Sequence, residues 1–170
     1  MAQYSYPFTS MMEYDEETGV PTFDRAISAD VLRKLFMKDR SNGVIMLTDS
    51  SSFLVQADDP ESMNVIVNPG YCFINGAIMC SDEAERINLQ TADLRYDRID
   101  TIVLRLDETT TENGRKISIE VLTGVPDESP AIPELTRNAD YYEIGIANIR
   151  VKKQSSTVEA QYINDTRMLS

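Results

Sequence analysis

The chain has 170 residues, with 28 acidic against 16 basic side chains, a formal charge of −12, two cysteines and no histidine. This balance and the scattered Lys and Arg argue against a nucleic-acid or anionic-membrane partner, because phosphate binding rests on clustered cations. The absence of histidine excludes Ser-His and Cys-His nucleophiles and leaves two cysteines as a zinc set, which is too few.

No apolar run approaches the ~20 residues of a membrane span, so no membrane insertion is expected. The stretch from Met1 to Tyr6 lacks the basic and long apolar segments of a secretory signal, and the expected place of synthesis is a cytoplasm. A chain of this size buries about two-thirds of its unfolded surface and needs no disulfide or metal staple. It divides into an N-terminal arm with a helix, residues 1–43, and an antiparallel β domain, residues 44–170.

In chain order, the arm from Met1 to about Pro21 mixes Tyr4, Tyr6, Phe8, Met11 and Met12 with turn formers and the acidic run Glu13 to Glu17. It has too many aromatics for a disordered tail and too little core to stand alone, so it is expected to lie against another surface. One helix is predicted from Ala29 to about Ser41. Ser28 is its N-cap, Asp30 lies in the first turn, Ile27 and Leu32 have the spacing of a hydrophobic staple, and Asn42-Gly43 supplies a left-handed stop. Its apolar face is Val31, Leu32, Leu35 and Phe36. Val44 to Leu47 then reads as a buried extended segment ending in the polar turn Asp49 to Ser52.

From Phe53 onward the pattern is of short strands: Phe53–Ala57, then Met63, Val65 and Val67 in alternation after the turn Asp58 to Glu61. Tyr71 to Ile74 and Ala77 to Met79 flank Asn75-Gly76, the pair best suited to a type I′ hairpin turn because both residues tolerate positive φ. A two-residue loop sets Ile74 opposite Ala77, Phe73 opposite Ile78, Cys72 opposite Met79 and Tyr71 opposite Cys80. The two sulfurs then lie on opposite faces and remain free thiols. Both faces of this ribbon are apolar, so it is expected to be covered on both sides.

Glu85, Ile87 and Leu89 form a further strand, and Asp97 to Asp107, the densest β-branched run, is read as a central strand. After Asn113-Gly114, Ile117, Ile119 and Val121 form a half-exposed strand. Pro126, Pro130 and Pro133 mark an extended edge connection. Tyr142, Ile144 and Ile146, then Ile149 and Val151, form the next strand, and Val158 to Ile163 closes the domain. The expected class is mainly β: an antiparallel β-sandwich or barrel preceded by an extended N-terminal arm and one short α-helix.

Arg98 and Asp100 share a strand face with Ile102, Leu104 and Leu106, and read as an arginine–carboxylate pair tying the strand to a loop. Asp165 and Arg167 read as a second structural tie. The glycines stand singly at turns, with no phosphate-cradling motif, and neither an organic cofactor nor a metal is expected. Carboxylates are plentiful enough to keep a paired-carboxylate hydrolase open, and tyrosines to keep a small carbohydrate-binding module open as the alternative function.

Several segments together resemble one family. They are Pro7-Phe8-Thr9-Ser10; Phe23-Asp24-Arg25-Ala26 before a helix ending at Asn42-Gly43-Val44; Val67-Asn68-Pro69-Gly70-Tyr71 with Ile74-Asn75-Gly76; Asp97-Arg98-Ile99-Asp100 with Ile102 to Asp107; and Ile163-Asn164-Asp165-Thr166-Arg167. In order and spacing they look like the N-terminal domain of phage and prophage baseplate or tail-fibre structural proteins, including the upper-baseplate and receptor-binding group from phages of Gram-positive bacteria. The resemblance implies a non-enzymatic virion attachment module located in the tail or baseplate. It implies docking on other tail or baseplate proteins and self-assembly into a trimer or ring, with Tyr4, Tyr6, Phe8, Met11 and Met12 as candidate assembly contacts. In that family a longer polypeptide often continues beyond the Asp-Thr-Arg segment, whereas this sequence stops three residues after it.

Overall fold

A computed structural model describes residues 11–23, 28–46, 50–112 and 114–170. In chain order the strands are β1 (Met12–Tyr14), β2 (Pro21–Phe23), β3 (Gly43–Ile45), β4 (Val55–Ala57), β5 (Asn64–Val67), β6 (Gly70–Ile74), β7 (Ala77–Ser81) and β8 (Glu85–Asn88). They continue with β9 (Arg98–Asp107), β10 (Lys116–Leu122), β11 (Tyr141–Val151) and β12 (Ile163–Asp165), while the helix α1 (Ala29–Asp39) lies between β2 and β3. The fold is mainly β with four antiparallel sheets, none closed into a barrel, so of the two expected architectures the layered one holds.

The largest sheet runs β10-β9-β11-β12, and β9 is its central strand, as its composition predicts. Ile102, Leu104 and Leu106 meet Ile144, Ile146, Ala147 and Ile149 on one face and pack against Val44, Val65, Val67, Cys72 and Ile74 from the three-stranded sheets β3-β6-β7 and β4-β5-β8, and against Phe53 in the turn before β4. Burying side chains of this size stabilises by roughly 1.5–3 kcal/mol each. Val103 is equally buried but stands apart from this cluster, consistent with the opposite face of the sheet. The register of β9 with β11 shifts between Gly145 and Ala147, a bulge that explains why the apolar positions of β11 change phase from Ile144 to Ile149.

The hairpin register is as expected: Ile74 opposite Ala77, Phe73 opposite Ile78, Cys72 opposite Met79 and Tyr71 opposite Cys80. Asn75 (φ 47°) and Gly76 (φ 74°) both take the left-handed values of a type I′ turn. The expectation that both faces of the ribbon are covered is corrected. Cys72 and Ile74 are buried, but Tyr71, Ile78 and Cys80 stay exposed on the outer face, where α1 covers only the Phe73 end by a Phe36–Phe73 ring contact at 5.8 Å. The strand before the ribbon also parts from it: β5 pairs with β4 and β8, not β6.

Three further corrections have local causes. Ser28 does cap α1, its Oγ accepting from the Val31 N–H, but the helix does not end in a left-handed Asn42-Gly43 stop. Arg40 is extended, and Gly43 belongs to β3, where a Cβ would stand 2.6 Å from the Met168 carbonyl oxygen; glycine is there for close backbone approach. The arm is not simply extended, since β1 and β2 pair as a ribbon whose turn is held by the Asp15 carboxylate accepting from Glu17 N, Thr18 N and Thr18 Oγ1. The chain closes on a 3₁₀ turn, Ala160–Tyr162, and the short β12 rather than on one strand from Val158 to Ile163. Ile27, proposed for the staple, and Asn113 lie outside the described residues.

Replacing Gly76 by valine is expected to destabilise the fold by about 2 kcal/mol or more, measured by urea denaturation. The β-branched residue would face a positive φ, and its Cβ would collide with the Arg33 carbonyl of α1. An unchanged denaturation midpoint would contradict the turn geometry. Both cysteines are free, Cys72 buried and Cys80 exposed, and burial pushes the Cys72 thiol up to about 12. A chromogenic thiol reagent should therefore titrate only Cys80 in the native protein and both thiols after unfolding.

Candidate functional site

Of the residues singled out in the sequence, Arg98 and Asp100 are the most completely enclosed. Their side chains are 4% and 0% exposed. The Arg98 Nε donates to both Asp100 oxygens at 2.9 and 3.1 Å, Nη1 donates to the Thr91 carbonyl at 2.7 Å and Nη2 to the Gln90 carbonyl. The Asp100 Oδ1 also accepts from Gly124 N at 2.9 Å. One pair thus joins the start of β9, the chain leaving β8 and the chain leaving β10. All three guanidinium nitrogens are engaged by protein groups and both side chains are enclosed, which marks the pair as a structural tie.

Asp165 and Arg167 form the second tie. The guanidinium donates to Asp165 through Nε and Nη2 at 2.9 and 2.7 Å, and through Nη1 to the carbonyls of Ser50 and Ser52 at 2.9 and 2.7 Å. The Arg167 hydrogen bond holds the Asp165 carboxyl below its ordinary range, and the whole unit fastens the C-terminal segment to the turn before β4. A third tie was missed in the sequence. Asp97 accepts from Lys152 Nζ at 2.8 Å, Arg150 Nε at 2.9 Å and Lys153 N at 2.9 Å, and the Lys152 bond above all holds it well below the usual carboxylate range. Asp97, Arg150, Lys152 and Lys153 are an ordinary charged mixture in sequence, so only pairing of β9 with β11 brings them together.

The other candidates are surface residues of the arm. Met11 and Met12 are 68% and 52% exposed, while Tyr4, Tyr6 and Phe8 lie outside the described residues. The structure adds Tyr14, Val20 and Phe23, so that every residue of the β1–β2 ribbon is exposed. Period-two spacing of Met12 and Tyr14 before an Asp15-to-Gly19 turn was the available signal for a ribbon. On α1, Leu32, Leu35 and Met37 are exposed and no residue is buried. The helix is held largely by polar contacts: Arg33 Nε donates to the Asn75 carbonyl at 3.1 Å, and its Nη groups form a two-pronged pair with Glu108. Ile78 lines the same groove as Ala29, Asp30 and Arg33. Apolar side chains therefore remain in water on the ribbon, on α1 and on the outer face of β6–β7, a distribution suited to protein contact.

Replacing Arg98 by methionine, similar in length but uncharged, should cost about 3–5 kcal/mol, because Asp100 would be left buried without its cation. Replacing Arg167, whose Asp165 partner is 47% exposed, should cost less. Chemical denaturation of the two variants checks the order; equal losses would contradict the assignment of Arg98 as the deeper tie.

No protein-family model, curated protein or solved structure matches this chain.

Proposed function

We propose that the protein is a non-enzymatic structural module of a phage or prophage tail or baseplate, which self-assembles into a trimer or ring and docks on other virion proteins. The observation that carries the assembly part is the β1–β2 ribbon, with Met12, Tyr14 and Phe23 all more than half exposed. A lone two-stranded ribbon is marginal in water, and a neighbouring surface that covers these side chains supplies the missing burial. The virion assignment rests on the segment resemblance set out above.

Hydrogen bonds hold several carboxylates of the described residues in their charged form. Among the described residues, the carboxyl groups with displaced acidities (Asp15, Asp58, Asp93, Asp97, Asp107 and Asp165) are all shifted downward by hydrogen bonds. A glycosidase-type general acid needs the opposite, a carboxyl kept protonated near neutral pH.

Light scattering on the full chain should give a multiple of 19.2 kDa. The triple variant Met12→Ser, Tyr14→Ser, Phe23→Ser should shift toward the single-chain mass with an unchanged far-ultraviolet dichroism spectrum. A full chain that stays monomeric at high concentration refutes self-assembly. Mass spectrometry of purified tails from a phage encoding the chain tests the virion assignment separately.

A further inference from the structure

The back face of the large sheet carries a cavity of about 190 Å³ between β9, β11, the residue after β12 and the proline-containing segment that follows β10. Ile132, Pro133, Leu135 and Met168 form apolar walls, and Thr101, Asn148, Thr166 and Arg137 bring polar groups. No Asp or Glu lines it, in a chain of net charge −12.

Three observations make this a site for a ligand. First, Thr166 Oγ1 is buried and has no hydrogen-bond partner, the one such side-chain atom among the described residues. A buried hydroxyl left in this way costs about 1–3 kcal/mol, which a bound polar group recovers. Second, the space exists because β11 has glycine at its bulge. A Cβ on Gly145 would meet Thr101 Cγ2 at 3.6 Å and Thr166 Oγ1 at 3.7 Å, ordinary contact distances, and Gly145 has no positive φ, so neither conformation nor close approach demands glycine.

Third, Arg137 is a positioned cation without an anion. Arg33, Arg40, Arg86, Arg98, Arg105, Arg150 and Arg167 each hold a carboxylate of this chain; Arg95, Arg115 and Arg137 have none among the described residues, and of these three Arg137 alone lines the cavity. Arg137 instead stacks 5.2 Å from the Tyr142 ring centroid and donates through Nε to the Glu143 carbonyl at 3.3 Å, leaving the Nη pair without a partner among the described residues. The nearby Glu143 carboxylate is already committed, Oε1 to Arg105 and Oε2 to Thr136 N, both at 2.6 Å.

A guanidinium fork, a free hydroxyl and an amide side chain between apolar walls match a carboxylate and exclude a cation. We propose that this cavity binds a carboxylate carried on a short aliphatic or sugar stem, with Arg137 as its counter-ion and Thr166 Oγ1 and the Asn148 side chain as the neutral partners. The stem lies against Ile132, Leu135 and Met168. Such chemistry is offered by the C-terminus of a polypeptide or by a uronic acid.

The test uses the full chain labelled with ¹⁵N, titrated with N-acetylglycine and with glucuronate, each against its neutral amide. At least one acid is expected to shift the amide resonances of Gly145, Asn148 and Thr166 with a dissociation constant on the order of 1 mM, and the amides are not. N-acetylglycine alone would assign a chain terminus, glucuronate alone a sugar acid, and both acids the carboxylate as the shared determinant. Gly145→Val, which fills the cavity in a residue type that strands favour, and Arg137→Met should each abolish the shifts while the rest of the spectrum stays folded. No shift with either acid, equal shifts with the amides, or binding that survives Arg137→Met would overturn the proposal.

Discussion

The structure depends on one buried ion pair. Arg98 and Asp100 stand two residues apart on one face of β9, and between them they hold the backbone at Gln90, Thr91 and Gly124. A buried charge is tolerated only when paired and hydrogen-bonded, so the carbonyls and the amide must stay where they are. At Gly124 the constraint is tightest, because a Cβ there would collide with the Ile99 carbonyl oxygen. The pair therefore dictates how the chain enters β9 and how it leaves β10.

From that exit follows the unlike character of the two faces of the large sheet. The face bearing Ile102, Leu104 and Ile144 closes on the smaller sheets as the apolar core. The other bears Thr101, Val103 and Arg105 opposite Asn148, Gly145 and Glu143. It includes buried charge and hydrogen-bonding groups: Glu143 is enclosed, Arg105 pairs with it, and Thr101 Oγ1 donates to Asn148 Oδ1 at 2.8 Å. The segment carrying Pro126, Pro130 and Pro133 runs beside this face and forms no named strand, since proline cannot donate to a ladder. A strip without side-chain-dense pairing leaves space, and the bulge at Gly145 enlarges it.

At the other side of the molecule, attachment is of a different physical kind. Asn42 accepts from Asn75 N at 2.7 Å and donates to Asn75 Oδ1 at 3.0 Å, while Arg33 spans the hairpin turn and Glu108. These directional contacts orient α1 without burying its side chains. Polar anchoring of this kind fixes position and contributes little net stability, which leaves the apolar surface of the helix available to a second protein.

Local chemistry was legible in the sequence wherever a few neighbouring residues decide the outcome. Asn75-Gly76 determines the hairpin register because two residues of positive φ leave one way to pair the flanks, Ser28 starts α1, and the aliphatic run of β9 marks a strand buried on both faces. Periodicity records which side of a strand is apolar, but not which strand lies beside it. Tertiary structure alone separated β5 from β6 into different sheets, drew Gly43 into an extended strand under the C-terminal backbone, and placed Phe53 at φ 51°. That conformation costs an aromatic residue roughly 1–2 kcal/mol, and full burial of its ring offsets the cost. The Asp97 cluster and the cavity at Gly145 were hidden for the same reason: their members lie up to tens of residues apart, and only the β9–β11 pairing and the return of the C-terminal segment bring them within hydrogen-bonding reach.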